Sequence, residues 1–245
     1  MATTNNLQST ITWCQPFLKN QPLSISQGEP AITIANIILQ TILGPPLVWR
    51  WNRGSATFTC ATVATPPPAP TVDYSVSVND FGFIENAWLQ DATGASLSQS
   101  YELEVKKSLA LDTTKARPKY VCDFGDDNAG NITFRVAPAP DANYPAFVTY
   151  QKKPVLMTSL ASLWAPIPDE YAYLYNWGFL ALACMVISDP RFPIFNQKFM
   201  SHLLGAQEGL DEMQKNIFLG NWLDVVKALE RAQQKTQQGI GARGQ

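Results

Sequence analysis

The chain has 245 residues, 46% hydrophobic and 16% charged, a globular balance with room for one large or two small domains. Its formal charge of -2 and pI near 5.4 argue against a protein that grips nucleic acid through its surface, because neutralising phosphates takes clustered Lys and Arg, and no specific DNA binding is expected. Cys14, Cys60, Cys122 and Cys184 lie far apart with no Cys-x-x-Cys pair, so buried free thiols in a reducing compartment are expected. The first residues, Met-Ala-Thr-Thr-Asn-Asn, lack the basic and apolar regions of a secretory signal.

Taken in order, Leu7, Ile11, Cys14 and Leu18 recur at spacings of four and three, which predicts an amphipathic helix bent or ended near Pro16. Pro30 suits a first helical position. Ile34, Ile37, Ile38 and Ile42 then form one apolar face before Gly44-Pro45-Pro46 ends a second helix. From Val48 the period changes to two. Alternating runs at 48–52, 57–63, 74–78, 84–90, 101–106, 120–124, 132–136 and 146–151 predict about eight strands. Turn-forming residues separate them at 91–94, 126–131 and 138–141, while Pro66-Pro67-Pro68-Ala69-Pro70 predicts an exposed polyproline excursion.

The chain is arranged around residues 163–189. Pro166, Pro168, Asp169 and Glu170 precede a run from Tyr171 to Ile187 that contains no charged residue, the pattern of a helix start followed by a helix that is apolar all round. The run is too short for a membrane span and lacks flanking Lys or Arg. It is expected to be the central helix of a small bundle, with Tyr171, Tyr175, Trp177 and Phe179 packing in the bundle or against a neighbouring subunit. Apolar residues from Phe192 to Ile217, spaced by threes and fours, predict one long amphipathic helix, with Gly205 and Gly209 marking close contacts or a bend. Trp222, Val225, Val226 and Leu229 form a further apolar stripe, followed by a polar Gln- and Gly-rich tail expected to be disordered in isolation. Two roles are open to this stripe: folding back as core, or docking into a partner's groove.

The predicted class is α+β: a helical bundle with an inserted antiparallel β-sandwich or barrel and a C-terminal extension. The corresponding domains are residues 1–46 with 155–220, residues 47–154, and a docking segment and tail at 221–245.

No catalytic constellation stands out. His202 is the single histidine, and nothing in the sequence sets a nucleophile or an orienting acid beside it. Asp80-Phe81-Gly82 and Asp123-Phe124-Gly125 spell a kinase tripeptide without the rest of a kinase signature. The acidic turn after Asp123 lacks a complete calcium-loop ligand series, and no phosphate-binding glycine loop occurs. Catalytic, cofactor and metal residues are therefore all expected to be none. Glu102 and Glu104 alternate with Leu103 and Val105, as on the solvent face of a strand. Trp49 and Trp51 suit either a core layer or, with Trp88, a ligand-stacking platform such as a carbohydrate-binding module would use.

Several of these stretches together resemble a known family. Val48-Trp49-Arg50-Trp51-Asn52, Asp80-Phe81-Gly82-Phe83-Ile84, Arg135 with 140–144, and Trp164-Ala165-Pro166-Ile167-Pro168-Asp169-Glu170 leading into Tyr175-Asn176-Trp177-Gly178-Phe179-Leu180-Ala181 resemble bacteriophage head-to-tail adaptor (neck or connector) proteins. The resemblance implies a structural virion protein at the neck, assembled in the host cytoplasm. It implies a ring of copies, twelve-fold in other adaptors, binding the portal protein through the 222–229 stripe and a tail or nozzle protein on its other side. DNA would pass through the channel without specific binding, and no membrane is implied. The alternatives are another neck or tail component, such as a head-closure or tail-terminator ring, and the carbohydrate-binding module.

Overall fold

A computed structural model describes residues 3–18, 24–26, 28–61, 71–92, 99–127, 129–207 and 210–241. The expected polyproline excursion at 66–70 lies outside them, as do half of the 91–94 turn and Gly209. The chain divides into two compact units, one made of residues 1–51 and 154–245 and the other of 52–153. Among the described residues the fold is mixed α+β, with five α-helices and a nearly closed, barrel-like sheet of seven strands.

The helical unit contains α1 (Leu7–Cys14), a small hairpin of β1 (Ser24–Ser26) and β2 (Glu29–Pro30), α2 (Ala31–Leu43), α3 (Ala172–Val186), α4 (Phe192–Gly205) and α5 (Glu212–Gly241). Helix α1 starts at a capping box, in which Asn6 and Ser9 each accept the other's backbone N–H, satisfying donors that a helix start leaves free. It ends before Pro16 because proline has no N–H to continue the ladder. Ile34, Ile38 and Ile42 of α2 are buried. Helix α3 buries residues on every side, from Leu174 to Met185, which leaves α1, α2 and α4 to enclose it. Its end is a Schellman turn: Ser188 adopts φ 56°, its N–H reaches the Met185 carbonyl, and the Asp189 N–H reaches Cys184. Asp169, expected to serve its own helix start, instead accepts the backbone N–H groups of Thr4 and Asn5 at 3.0–3.1 Å. These bonds, the Thr4 hydroxyl first, hold the Asp169 carboxyl below its ordinary pKa and tie the N-terminal segment to the start of α3.

Gly178 lies where α2, α3 and α4 meet. A methyl group there would come within 2.9 Å of Phe199 and 3.0 Å of Ile38. Alanine normally gains about 1 kcal/mol over glycine inside a helix, but overpacking a core costs about 1–3 kcal/mol, and the crowding comes from two neighbouring helices. Gly178→Ala is therefore expected to lower the denaturation midpoint; a raised midpoint would show that Phe199 and Ile38 yield freely.

Two elements differ from expectation here. Residues 48–52 form no strand: Arg50–Asn52 is a 3-10 turn, and Trp49 is buried with its indole N–H donating to the Ile42 carbonyl at 2.7 Å. That carbonyl is one of the orphan acceptors at the end of α2, so the tryptophan completes a helix instead of a sheet. The long helix expected over 192–217 is broken into α4 and α5. Asp211 and Gln214 make a reciprocal cap, each accepting the other's backbone N–H, and this new start outweighs the continuous apolar period. Helix α5 then runs to Gly241, through most of the tail expected to be disordered.

The β unit contains β3 (Arg53–Cys60), β4 (Asp73–Ser77), β5 (Phe81–Gln90), β6 (Ser100–Val105), β7 (Tyr120–Asp126), β8 (Asn131–Ala137) and β9 (Tyr144–Lys152), in the order β3-β9-β5-β6-β7-β8-β4. Alternate residues face inward, among them Ile132, Phe134 and Val136 of β8 and Ala146, Val148 and Tyr150 of β9, as the two-residue period of a strand requires. The end strands approach each other through Phe58 and Tyr74, whose rings stack at 5.3 Å. The sheet is not wholly antiparallel, since β6 and β7 pair in parallel. A parallel pair needs a crossover of a dozen residues or more, and the 14 residues between Val105 and Tyr120 provide it. The acidic turn closes the β7–β8 hairpin, with Asp127 accepting N–H groups from Ala129 and Asn131.

Candidate functional site

All four cysteines are buried and free, and burial pushes the Cys60 thiol up to about 12 and that of Cys184 to about 11. Such thiols are poor nucleophiles, because the thiolate is the reactive form. His202 lies between two rings, edge-on to Tyr173 at 5.5 Å and parallel to Trp177 at 6.4 Å. Among the described residues, no group of three or more His, Cys, Asp or Glu side chains is placed to hold a metal ion, and no helix is long and apolar enough to cross a membrane.

Among the described residues the helical unit presents two surfaces with exposed apolar side chains. The first is an aromatic belt. From Trp51 the rings step to Tyr171 at 5.7 Å, to Tyr173 at 6.3 Å, through His202 to Trp177, and on to Trp13 at 5.2 Å. Tyr171, Trp177 and Trp13 are half-buried, while Tyr173 is 37% exposed and neighbouring α4 carries Ile194 at 59% exposed. The Lys198 ammonium sits 4.5 Å from the centre of the Trp177 ring, within cation–π range. A shallow hollow of about 460 Å³ opens between Tyr173, Ser201, His202 and Gly205. Aromatic side chains with one face packed and one face wet are characteristic of protein interfaces.

The second surface is a groove of about 380 Å³ between the C-terminal half of α2 and α5, lined by Ile37, Gln40 and Thr41 on one side and Phe218, Trp222 and Val225 on the other. Outside the groove, α5 exposes Met213 (71%), Ile217 (50%) and Leu223 (51%).

The residues singled out from the sequence fall into separate places. Tyr175 and Phe179 are in the core of the helical unit, 1% and 0% exposed, with Tyr175 stacked on Trp164. Tyr171 and Trp177 belong to the belt. Trp222 and Val226 are buried against their own unit, and Val225 and Leu229 are half-buried beside them. Trp49 and Trp51 stack on each other at 5.2 Å in the helical unit, whereas Trp88 belongs to the β unit. The platform suggested for a carbohydrate-binding module thus does not form on one strand face.

Sequence reasoning missed Trp13, Tyr173 and Ile194. A Tyr-x-Tyr-x-Tyr-x-Trp run in an otherwise aliphatic helix (171–177) was the available signal, since alternate residues of a helix point to different sides.

Comparison with known proteins adds one finding. The model of a family described as SU10 adaptor protein matches residues 46–224, nearly three-quarters of the 245 residues. The match takes in all of the β unit, α3, α4 and the first part of α5, and begins after α2. No curated protein matches the chain.

Proposed function

The chain belongs to the SU10 adaptor protein family, and from that premise we propose that it forms a ring joining the portal to the tail at the neck of a phage particle. Membership makes it a structural phage adaptor, a virion component that contacts other head or tail proteins, and not an enzyme. The finer reading is our own. Copies assemble side by side through the helical unit, which acts as a bundle, and the exposed edge of the aromatic belt at Tyr171, Tyr173 and Trp177 meets the next copy. Twelve is the ring number proposed, by resemblance to other adaptors. Packaged DNA passes through the channel without sequence-specific contact, and assembly takes place in the host cytoplasm.

Docking to the portal is proposed at the C-terminal extension formed by α5. Val225 lines the α2–α5 groove and Leu229, a turn further on, is half-buried, whereas Trp222 and Val226 become available only if α5 swings away from its unit. The β unit is left for a tail or nozzle protein. Many weak contacts repeated around a ring give the assembly its strength, because each subunit placed raises the effective concentration for the next contact.

The family match is the observation that carries this reading, and the half-exposed belt supports its ring interface. The test is the mass of the full chain in solution, alone and mixed with a portal ring. Three proteins are compared: the parent, Tyr173→Arg, and a chain ended before Trp222. The parent is expected to load onto the portal at ring stoichiometry. Tyr173→Arg is expected to weaken contacts between copies by tenfold or more, and the shortened chain to fail to load. A parent that stays monomeric and ignores the portal would overturn the reading.

A further inference from the structure

The crossover between β6 and β7, residues 106–119, carries Lys106, Lys107, Lys115, Arg117 and Lys119 against Asp112 alone. It is thus a +4 segment in a chain whose net charge is -2. We propose that this strap is a contact site for the phosphate backbone of duplex DNA.

The strap is held in place by the sheet. The N–H groups of Ala116 and Lys119 donate to the carbonyls of Ala139 and Ala137, and that of Lys106 to Val121, each at 2.9 Å. Exposure alternates along its last part: Lys115, Arg117 and Lys119 are exposed, Ala116 is half-buried and Pro118 is buried. The backbone bends at Ala116, so Lys115, Arg117 and Lys119 form a bent row of exposed cations along the strap.

The charges of this row are available. Among the described residues Lys107, Lys115 and Lys119 make no ion pair. Arg117 lays its guanidinium on the Tyr101 ring at 3.8 Å and also hydrogen-bonds the Tyr101 side chain, so only part of its N–H edge is left for an anion. Of the nearby carboxylates only Glu104 has a cation partner, and the others keep their charge while accepting hydrogen bonds within the unit. Glu104 pairs with Lys106, Asp112 accepts the Thr114 N–H, Asp91 accepts that of Gln99, and Asp141 accepts the Tyr144 hydroxyl.

Duplex DNA fits this row better than an acidic protein surface does. DNA offers an unbroken line of phosphates, one charge per about 1.7 Å of axis, while a protein partner would look for an apolar centre to the patch. In the row, Pro118 is buried and Ala116 half-buried, so neither supplies one, and the strap's exposed Leu111 lies outside the row. A single copy with four such contacts binds weakly and without sequence preference, which agrees with the overall negative charge. The inference concerns each copy by itself and is tested without a ring.

The experiment follows the anisotropy of a fluorescent 25-base-pair duplex titrated with the full chain across a series of NaCl concentrations. Four phosphate contacts, at Lys107, Lys115, Arg117 and Lys119, predict a log–log salt slope of about -3.6. The variant carrying Lys115→Ala, Arg117→Ala and Lys119→Ala is expected to bind at least tenfold more weakly at low salt, with a slope near -1. A control with Lys215→Ala and Lys227→Ala on α5 should match the parent. Three outcomes overturn the proposal: no binding at 50 mM salt, an unchanged slope in the triple variant, or displacement of the duplex by polyglutamate at equal charge concentration. The last would identify an acidic protein as the better ligand.

Discussion

Replacing Trp164 by alanine is expected to cost the helical unit about 3–5 kcal/mol, the range for truncating a fully buried large aromatic. Trp164 is 0% exposed. Its ring lies 4.4 Å from that of Tyr175, with 4° between the planes, and its indole N–H donates to the Thr10 hydroxyl at 2.9 Å. One side chain thus joins the loop before α3 to α3 itself and to α1, which is far away in sequence. Against a usual domain stability of about 5–15 kcal/mol, its loss approaches unfolding. Chemical denaturation followed by near-UV circular dichroism should show a lower midpoint with an unchanged slope. Trp164→Phe, which keeps a ring but not the N–H, should lose about 1–2 kcal/mol of that amount by leaving Thr10 without its donor. A loss under 1 kcal/mol for the alanine variant would mean that neighbouring side chains close the cavity.

The second large effect is expected at Trp222→Ala. Trp222 is 3% exposed, edge-on to Phe199 of α4 at 5.4 Å, and donates its N–H to Asn196 at 2.8 Å. Among the residues of α5 whose burial is described, Phe218, Trp222 and Val226 are the buried ones, spaced by four along one face, and alanine removes the middle one. With Gly220 in the helix and a polar remainder, α5 has little intrinsic stability of its own. Hydrogen exchange across 212–232 should therefore accelerate by two to three orders of magnitude, corresponding to about 3–4 kcal/mol of local protection, while exchange in α3 stays near its parent rate. Retained protection in α5 would show that Phe218 and Val226 suffice. Phe218→Ala, which loosens α5 but keeps Trp222, separates two ways of meeting the portal: if α5 docks while folded against its unit, loading falls with protection, and if α5 must first swing out to present Trp222, loading is preserved or improved.

Much of the fold was legible in the sequence, wherever it depends on neighbouring residues. The threes and fours of Leu7, Ile11 and Cys14, the proline before Ala31, and the uncharged run after Glu170 correspond to α1, α2 and α3, because a helix is stabilised by side chains and caps within a turn or two. Seven of the eight expected strands are present for the same reason, since alternation records which face of a sheet is buried. The eighth, at 48–52, failed because Trp49 found a better partner in the carbonyl of Ile42, a residue already placed by α2. The break before α5 was written in Asp211 and Gln214, yet it was masked by an apolar period that runs through the loop.

What only the tertiary structure decided depends on residues far apart in the chain. The parallel pairing of β6 and β7 is a choice of direction that alternation does not encode, because side chains alternate identically in either direction. The return of Trp222 onto Phe199 could not be told from an outward-facing stripe, since both need the same spacing. The belt joins Trp13, Trp51, Tyr173, Trp177 and His202 from four separate stretches, and the basic strap gathers its charges only where its backbone is tied to the sheet. By itself the sequence determined most of the helices and strands, with 48–52, the break before α5 and the helical tail as the exceptions. Which faces remain for partners was decided by packing, because a face is free only when no distant part of the chain covers it.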